Sequence, residues 1–251
     1  MKIDKDLSVN IGPAKGNCAS CEYHKSLLAK GKCRPGDRCI QVESGRQIDR
    51  FLRKNPGLAD RYIDNDFWER RAIAVRYASQ NRLLECIDDS DETVRRAVAY
   101  RLPNDQLIKM ISDTDREVRI TVADRISSEH LEKMADDEDY LVRVYVTRRL
   151  TKGRLFRMIC DVDSQVRTEV ARRIPEESLG LMVNDSELEV RRIVAERMPS
   201  SDVATMLQDK EWLVRLTAAE RVDLAVLKSL TEEDDDQEVR ETIRKRLKEN
   251  I

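Results

Sequence analysis

A 24-residue repeat dominates this sequence and limits the folds that it can adopt. A Val-Arg pair recurs every 24 residues, with the last copy after 25, at Val94, Val118, Val142, Val166, Val190, Val214 and Val239. With this valine as position 1, positions 5, 9 and 14 are apolar, position 8 is always arginine and position 17 is mostly methionine. Such periodicity is typical of stacked repeats, in which each unit completes the core of its neighbours.

Each repeat is predicted to contain one α-helix and a second, shorter helical limb. Positions 1, 5 and 9 fall on one stripe of a helix, and the acidic residues before position 1 can cap its N-terminus. Position 10 is proline in three copies, so the helix should end there after about ten residues. Positions 14 and 17 are three residues apart, as on one side of a 3₁₀ or α turn.

The arginines at positions 2 and 8 flank the apolar stripe, and we expect their guanidinium groups to reach outward. Aspartates at positions 20 and 22 recur with the same period, so we interpret these charges as structural Arg–Asp ladders. The 46 Lys and Arg residues nearly cancel the 48 Asp and Glu residues, which argues against a nucleic-acid surface. The methionines of position 17 are interpreted as core residues.

Two irregular copies precede the regular ones. A slipped copy begins at Trp68 in "WERRAIAVRYASQNRLLECIDDSD", and "FLRKNPGLADRYIDND" is interpreted as a degenerate first repeat. We predict two domains, a metal-cluster domain over residues 1–45 and a repeat domain over residues 46–251. No apolar run approaches the ~20 residues of a membrane helix, so no membrane contact is expected.

Four of the six cysteines follow the spacing C-x2-C-x11-C-x5-C, and they are Cys18, Cys21, Cys33 and Cys39. The N-terminus lacks the apolar segment of a secretory signal, so we predict a cytoplasmic protein. In a reducing compartment, clustered cysteines bind metal more often than they form disulfides. Four thiolates suit either one tetrahedral zinc ion or one four-iron cube, and the spacing leaves both open.

Other residues near the cysteines, and the two remaining cysteines, are not assigned to the metal site. His24 could replace one thiolate, but we interpret it as a solvated loop residue because four cysteines already complete a ligand set. Cys86 and Cys160 are interpreted as small buried thiols. The surrounding cations could offset the charge of the thiolates, and they are Lys15, Lys25, Lys30, Lys32, Arg34 and Arg38.

The repeat over about residues 65 to 251, with the cysteine module over residues 18 to 39, resembles the leucine-rich repeat variant proteins that carry an iron–sulfur cluster. The resemblance implies an all-α solenoid of α-helix plus 3₁₀ helix repeats, in a right-handed superhelix without strands, behind a small N-terminal four-cysteine metal-cluster domain. It also implies a [4Fe–4S] cluster, with zinc as the alternative, on Cys18, Cys21, Cys33 and Cys39. Members of the family are linked with nitrogen-fixation gene neighbourhoods.

No catalytic constellation is visible in the sequence. It has two histidines and shows no glycine-rich phosphate loop, nucleophile elbow or dinucleotide motif, so we do not expect an enzyme. We predict an iron–sulfur repeat scaffold that binds a protein partner in a redox or oxygen-sensing role, with an electron donor or acceptor as a further partner. The alternative is a structural adaptor whose N-terminal cluster or zinc is only a folding cap.

Overall fold

The computed structural model describes residues 17–229 and 234–248, and these residues form helices and turns without any β-strand. A π-helical turn covers His24–Leu28. The α-helices of the first half are α1 Gly45–Lys54, α2 Trp68–Val75, α3 Gln80–Leu83, α4 Glu92–Arg101, α5 Arg116–Arg125 and α6 Ser128–Leu131. Those of the second half are α7 Tyr140–Arg149, α8 Ser164–Arg173, α9 Leu188–Arg197, α10 Trp212–Arg221, α11 Leu224–Ser229 and α12 Gln237–Lys248.

Short 3₁₀ helices follow most of the α-helices, as the repeat predicts. They are Pro56–Arg61, Leu84–Cys86, Leu107–Met110, Glu132–Met134, Lys152–Met158, Glu176–Met182 and Val203–Gln208. The degenerate first repeat also has this form, because α1 is followed by the first of these 3₁₀ helices. None of the helices in the described ranges is both long enough and apolar enough to cross a membrane.

The chain divides into two compact units, residues 1–127 and residues 128–251. The first unit contains the clustered cysteines and α1 to α5, and the second contains α6 to α12. The predicted domain boundary after residue 45 lies inside the first unit and stays a prediction.

Acidic side chains start the regular helices. The carboxylate of Asp91 accepts from the backbone N–H of Thr93 at 2.9 Å, and that of Asp139 accepts from Leu141 at 2.8 Å. Asp115 and Asp163 cap α5 and α8 in the same way. These bonds satisfy N–H groups that have no partner inside the helix, and they place negative charge at its positive end.

The repeat columns form the core. The valines of position 1 are fully buried in both units, and they are Val94, Val118, Val142, Val166, Val190 and Val214. The apolar residues of position 14 are buried to the same degree, and they are Leu107, Leu131, Leu155, Leu179, Val203 and Leu227. The position 17 methionines are also buried, which confirms that they fill the core. Neither limb can cover its apolar side alone, so neighbouring copies within a unit must stack.

The arginines of position 2 form the predicted ion-pair ladder. Arg143 donates from Nε and Nη2 to the two carboxylate oxygens of Asp161 at 2.8 Å, and from Nη1 to the carbonyl oxygen of Asp137 at 2.8 Å. One arginine thereby ties two successive turns together. The same two-pronged pairing joins Arg71 to Asp89, Arg95 to Asp113, Arg167 to Asp185, Arg191 to Asp209 and Arg215 to Asp234.

The expectation that the guanidinium groups of both arginine columns reach outward is wrong. The position 2 side chains of the ladder are at most 15% exposed, and the position 8 guanidinium groups bind backbone carbonyls. Arg101 donates to the carbonyl oxygens of Val75 at 2.7 Å and Ala78 at 3.0 Å, which lie at the end of the preceding repeat helix. The equivalent arginines that also bind carbonyls near the end of the preceding repeat helix are Arg125, Arg173, Arg197, Arg221 and Arg246. A cation is favourable at a helix C-terminus, where carbonyls lack partners. This contact explains why the column is invariant across the copies.

The ladder should make the second unit sensitive to acid. Burial alone would raise the pKa of Asp161, but the bonds from Arg143 and from the N–H of Asp163 hold it below its usual range. A lowered pKa stabilises the fold above the unfolded value of about 3.9, and this contribution is lost as the pH falls through the folded value. We expect the free energy of unfolding, measured with urea, to fall below about pH 4. Asp161→Asn should reduce this dependence, and an unchanged pH profile would contradict the assignment.

Candidate metal centre

The four clustered cysteines line one cavity in the first unit. Its wall also includes the π-helical turn, the aromatic ring of Phe51 on α1, and two arginines, Arg34 and Arg38. Cys39 is buried, whereas the other three cysteines are half-buried. The structure therefore places the four predicted ligands around one cavity, and three of these cysteines are partly exposed to solvent.

A tight turn positions the first two cysteines. The N–H of Cys21 donates to the carbonyl oxygen of Cys18 at 3.3 Å, and the N–H of His24 donates to that of Cys21 at 3.0 Å. These bonds fold the C-x2-C stretch into consecutive turns that lead into the π-helical segment. Both thiols therefore lie on one short piece of backbone.

A reversal of the chain brings the third cysteine to the first two. Gly31 has φ of 62°, a left-handed conformation that glycine adopts at little cost. After this turn, the N–H of Lys32 donates to the carbonyl oxygen of Leu27 at 2.9 Å, and the N–H of Cys33 donates to the same oxygen at 3.4 Å. The side-chain amide of Asn55, after α1, donates to the carbonyl of Lys32 at 3.0 Å and holds the turn from outside.

A second reversal places the last cysteine. Arg34 and Arg38 pair through two backbone bonds of 2.8 Å around Gly36, whose φ is 76°. The N–H of Cys39 then donates to the carbonyl of Gln47 on α1 at 3.3 Å. The fourth thiol is thereby fixed to the first repeat helix.

The thiols are close enough to influence each other electrostatically. Burial raises the pKa of Cys33, negative charge on Cys21, Cys18 and Cys39 raises it further, and Arg38 lowers it. The Nε of Arg38 is buried and makes no hydrogen bond among the described residues, although the carboxylate of Asp37 lies 3.4 Å from it. A buried donor beside four thiolates fits an anionic group in this cavity.

Only some of the cations that were predicted to surround the cysteines line the cavity. Arg34 and Arg38 line the cavity, whereas the three described lysines are exposed, and they are Lys25, Lys30 and Lys32. Lys15 lies outside the described residues. His24 is exposed, as expected for a solvated residue, although its side chain also borders the cavity.

The donors that line this cavity are four cysteine thiols. Within residues 17–229 and 234–248, no three His, Cys, Asp or Glu side chains converge so that they could hold a single metal ion. Tetrahedral zinc needs all four sulfurs about 2.3 Å from one point. A four-iron cube takes one thiolate at each corner and so needs a wider set. Four cysteines around one cavity supply the four thiolates that such a cube needs.

An aromatic group beside the cysteines was not predicted. Tyr23 lines the cavity and is 6% exposed, and its ring centroid lies 5.5 Å from that of Phe51. The hydroxyl of Tyr62 donates to that of Tyr23 at 2.8 Å. Burial and this bond raise the pKa of Tyr62, so the pair stays neutral at ordinary pH. Aromatic residues are only 4% of the chain, and the presence of a tyrosine so close to the cysteines was the only signal in the sequence for this aromatic group.

The two remaining cysteines differ from each other. Cys86 is buried, as predicted, and burial raises the pKa of its thiol to about 11. The prediction that Cys160 is buried is wrong, because its side chain is exposed after the 3₁₀ limb. The buried methionine of that limb is Met158, so the residue two places later turns away from the core.

Two family models match this sequence. The model described as "LRV protein FeS4 cluster" matches residues 14–61, which include the four clustered cysteines and α1. The model described as "Leucine rich repeat variant" matches residues 116–139, which are one full period. The first match identifies a four-iron cluster as the cofactor of this module, as the family resemblance implies.

Two relatives support these matches. A solved structure described as a leucine-rich repeat variant with a novel repetitive protein structural motif is 57% identical, with a TM-score of 0.88, and the match covers 93% of this chain and 99% of that one. An uncharacterized 27.7 kDa protein in the nifB 3′ region of Rhodobacter capsulatus is 38% identical over 86 residues. That match covers 34% of this chain and 35% of the curated relative. The structural likeness confirms the all-α repeat fold.

Proposed function

We propose that this chain, which belongs to the leucine-rich repeat variant family with an N-terminal FeS4 cluster domain, is a repeat scaffold that binds a partner protein and responds to the redox state of its cluster. The main observation in support of this proposal is that four cysteine thiols and Arg38 line the same cavity. We assign Cys18, Cys21, Cys33 and Cys39 as the ligands of the cluster. The reducing cytoplasm is the compartment that suits these unpaired thiols.

The surroundings of the cysteines support a redox or oxygen-sensing role. When bound, a [4Fe–4S] cluster supplies one-electron chemistry, and its potential depends on charge and hydrogen bonding around the sulfurs. Arg38 would offset negative charge and tend to raise that potential. Because three of the four cysteines are half-buried, an electron donor, an electron acceptor or oxygen could approach this side.

We do not propose an enzyme. Four cysteines complete one thiolate for each corner of the cube, so no iron is left open for a substrate. His24 is exposed, and the other histidine, His130, lies 3.5 Å from Glu129, far along the chain from the cysteines. The gene position of the Rhodobacter capsulatus relative supports a role alongside nitrogen fixation.

Anaerobic purification tests this function directly. We expect iron and sulfide in the ratio of a [4Fe–4S] cluster, broad absorption near ~400 nm, and a paramagnetic signal that appears and disappears reversibly on reduction and reoxidation. Tightly bound zinc without sulfide would exclude the cluster. A cluster that cannot be cycled would exclude the redox role and leave a structural one.

A structural cap is the second candidate, because the cysteine module is tied to α1 at several points. Asn55 and Gln47 hold the backbone of Lys32 and Cys39, and Arg50 on α1 pairs with Asp37. Metal binding can supply folding energy to a segment with few large apolar residues. This candidate predicts that cluster oxidation leaves partner binding unchanged.

The tyrosine pair should protect the cluster. Tyr23→Phe keeps the ring beside Phe51 but leaves the Tyr62 hydroxyl without its acceptor, at a cost of about 1 kcal/mol. We expect the absorption near ~400 nm to decay about fivefold faster in air, with the initial iron content unchanged. Tyr100→Phe, at an exposed tyrosine, is the matched control. Equal decay rates for the two variants would show that the bond has no protective effect.

A further inference from the structure

An open groove lies in the first unit where three helices meet. The outer face of α2 forms its floor, and α1 and α4 supply its sides. We call this the α1–α4 groove and define it by Arg46, Trp68, Arg76, Arg96 and Tyr100. The small Ala72 in the middle of the floor makes the surface concave.

Two large aromatic side chains are exposed in the groove. Tyr100 is 61% exposed and Trp68 is 42% exposed. Tyr100 occupies position 7 of its repeat, where the later copies have charged residues, and these are Asp124, Arg148, Arg172, Glu196 and Glu220. The repeat fold therefore does not require an aromatic residue there. Exposed tyrosine and tryptophan are enriched at protein interfaces, where they supply most of the binding energy.

Two of the four arginines that line the groove are available to a partner, whereas the acidic groups of the groove are engaged. Among the described residues, Arg46 and Arg96 have no ion-pair partner, and Arg76 lies 3.7 Å from Asp49. The carboxylate of Glu69 accepts from the N–H of Gly45 at 3.0 Å.

Asp49 and Glu69 have little freedom to meet a partner. Asp49 accepts from the hydroxyl of Tyr77 at 2.9 Å. The Oε1 of Glu69 lies over Gly45, only 2.0 Å from the place where a Cβ on residue 45 would stand. The surface that a partner meets is therefore positive and aromatic. Charge complementarity selects an acidic segment with apolar side chains.

The groove lies one helix away from the cysteine cavity. Phe51 of α1 lines the cavity, and Arg46 of the same helix lines the groove. These two side chains are about 140° apart around the helix, because each residue turns it by about 100°. A helix with its side chains is about 10 Å across, so a partner in the groove would lie close to the cluster.

We propose that the α1–α4 groove is the docking surface for an acidic, partly apolar segment of a partner protein. This proposal specifies the class of partner protein in the proposed function. It rests on that function where it treats the nearby cluster as a redox group. Arginine and aromatic side chains also bind single-stranded nucleic acid. The 46 Lys and Arg residues of the chain are balanced by 48 Asp and Glu residues, so the chain lacks the excess of basic residues that is typical of binding to a phosphate backbone, and a protein segment is favoured.

The test uses the cluster-loaded full chain and three fluorescent probes. They are a synthetic peptide of alternating glutamate and leucine, the same peptide with lysine for glutamate, and oligothymidylate, each followed by anisotropy. We expect only the glutamate peptide to bind, and its affinity to weaken as salt is added. Arg46→Glu with Arg96→Glu, and separately Tyr100→Glu, should each weaken that binding at least about tenfold.

The choice of one test variant and one matched control keeps folding defects apart from lost contacts. Tyr100→Glu places a residue that other copies already carry at position 7. Lys109→Glu with Lys133→Glu reverses two exposed charges outside the groove, and this variant should bind the peptide as the unchanged chain does. Failure of the unchanged chain to bind the glutamate peptide, or equal binding by the groove variants, would overturn the proposal.

Two other possible occupants of the α1–α4 groove, nucleic acid and a second copy of this chain, would give different results in these experiments. Preferential binding of oligothymidylate that is lost in the groove variants would assign the groove to nucleic acid. Dimerisation in sedimentation that Tyr100→Glu abolishes would assign it to a second copy. Either result overturns the docking proposal. Iron and sulfide are measured in every sample, so groove-dependent peptide binding by a protein without a cluster would refute the proposed redox function and leave the docking inference standing.

Discussion

Cys33→Ser protein purified without oxygen is expected to contain little iron or sulfide and to lack the absorption near ~400 nm. The Cys33 thiol lines the cavity together with the other three clustered cysteines, and negative charge on them raises its pKa. A serine hydroxyl is a harder and much weaker ligand for iron–sulfur chemistry than a thiolate. Loss of the cluster should also loosen residues 17–41, because metal binding supplies folding energy to such a module.

Two other cysteines serve as controls for this experiment. Cys86→Ser changes a buried thiol of the same unit, and Cys160→Ser changes an exposed thiol of the second unit. Both variants should keep their iron and sulfide. Full iron content in Cys33→Ser, or loss of iron in Cys160→Ser, would show that the four clustered cysteines are not the ligand set.

The repeat could be predicted from the sequence because its period determines which residues meet. Once Val94 and Val98 share a helical stripe, the same argument applies to every copy, and all copies bury that stripe. The ladder followed from the equal periods of arginine and aspartate. The short 3₁₀ limb followed from the apolar positions 14 and 17.

Contacts that depend on where one repeat lies against another were not visible in the sequence. The position 8 arginines were expected to point outward, because a helical wheel shows neighbours within one helix only. Arg101 instead binds carbonyls that are 23 and 26 residues away. Cys160 was expected to be buried for a similar reason, since its side-chain direction depends on where the 3₁₀ limb ends.

The candidate site was predictable in its chemistry but not in its surroundings. The spacing of the cysteines indicated one shared metal group, and the four side chains do line one cavity. The contribution of α1 could not be read from the cysteines. Phe51 lines the cavity and the carbonyl of Gln47 binds the N–H of Cys39, but both residues belong to α1, which packs beside the module. The bond between Tyr62 and Tyr23 likewise joins residues 39 positions apart.

Arg191→Ala should be the most destabilising single change to the second unit. The Arg191 and Asp209 side chains are 4% and 8% exposed, and the guanidinium binds both carboxylate oxygens at 2.7 and 3.1 Å. Removal of the guanidinium leaves the N–H of Glu211 as the remaining donor to the Asp209 carboxylate. It also removes a donor to the carbonyl oxygen of Asp185. Breaking a buried pair in this way costs about 3–5 kcal/mol, which urea denaturation would measure.

Two further variants separate the ion pair from the arginine itself. Arg157 pairs with Glu132 and Asp136 at the surface, so Arg157→Ala should cost at most about 1 kcal/mol. Arg191→Met combined with Asp209→Leu removes both charges and keeps much of the volume. Buried pairs replaced by apolar residues often lose little stability, so this double variant should recover most of the loss. If it were as unstable as Arg191→Ala, the bond to the Asp185 carbonyl would be the dominant contribution of Arg191.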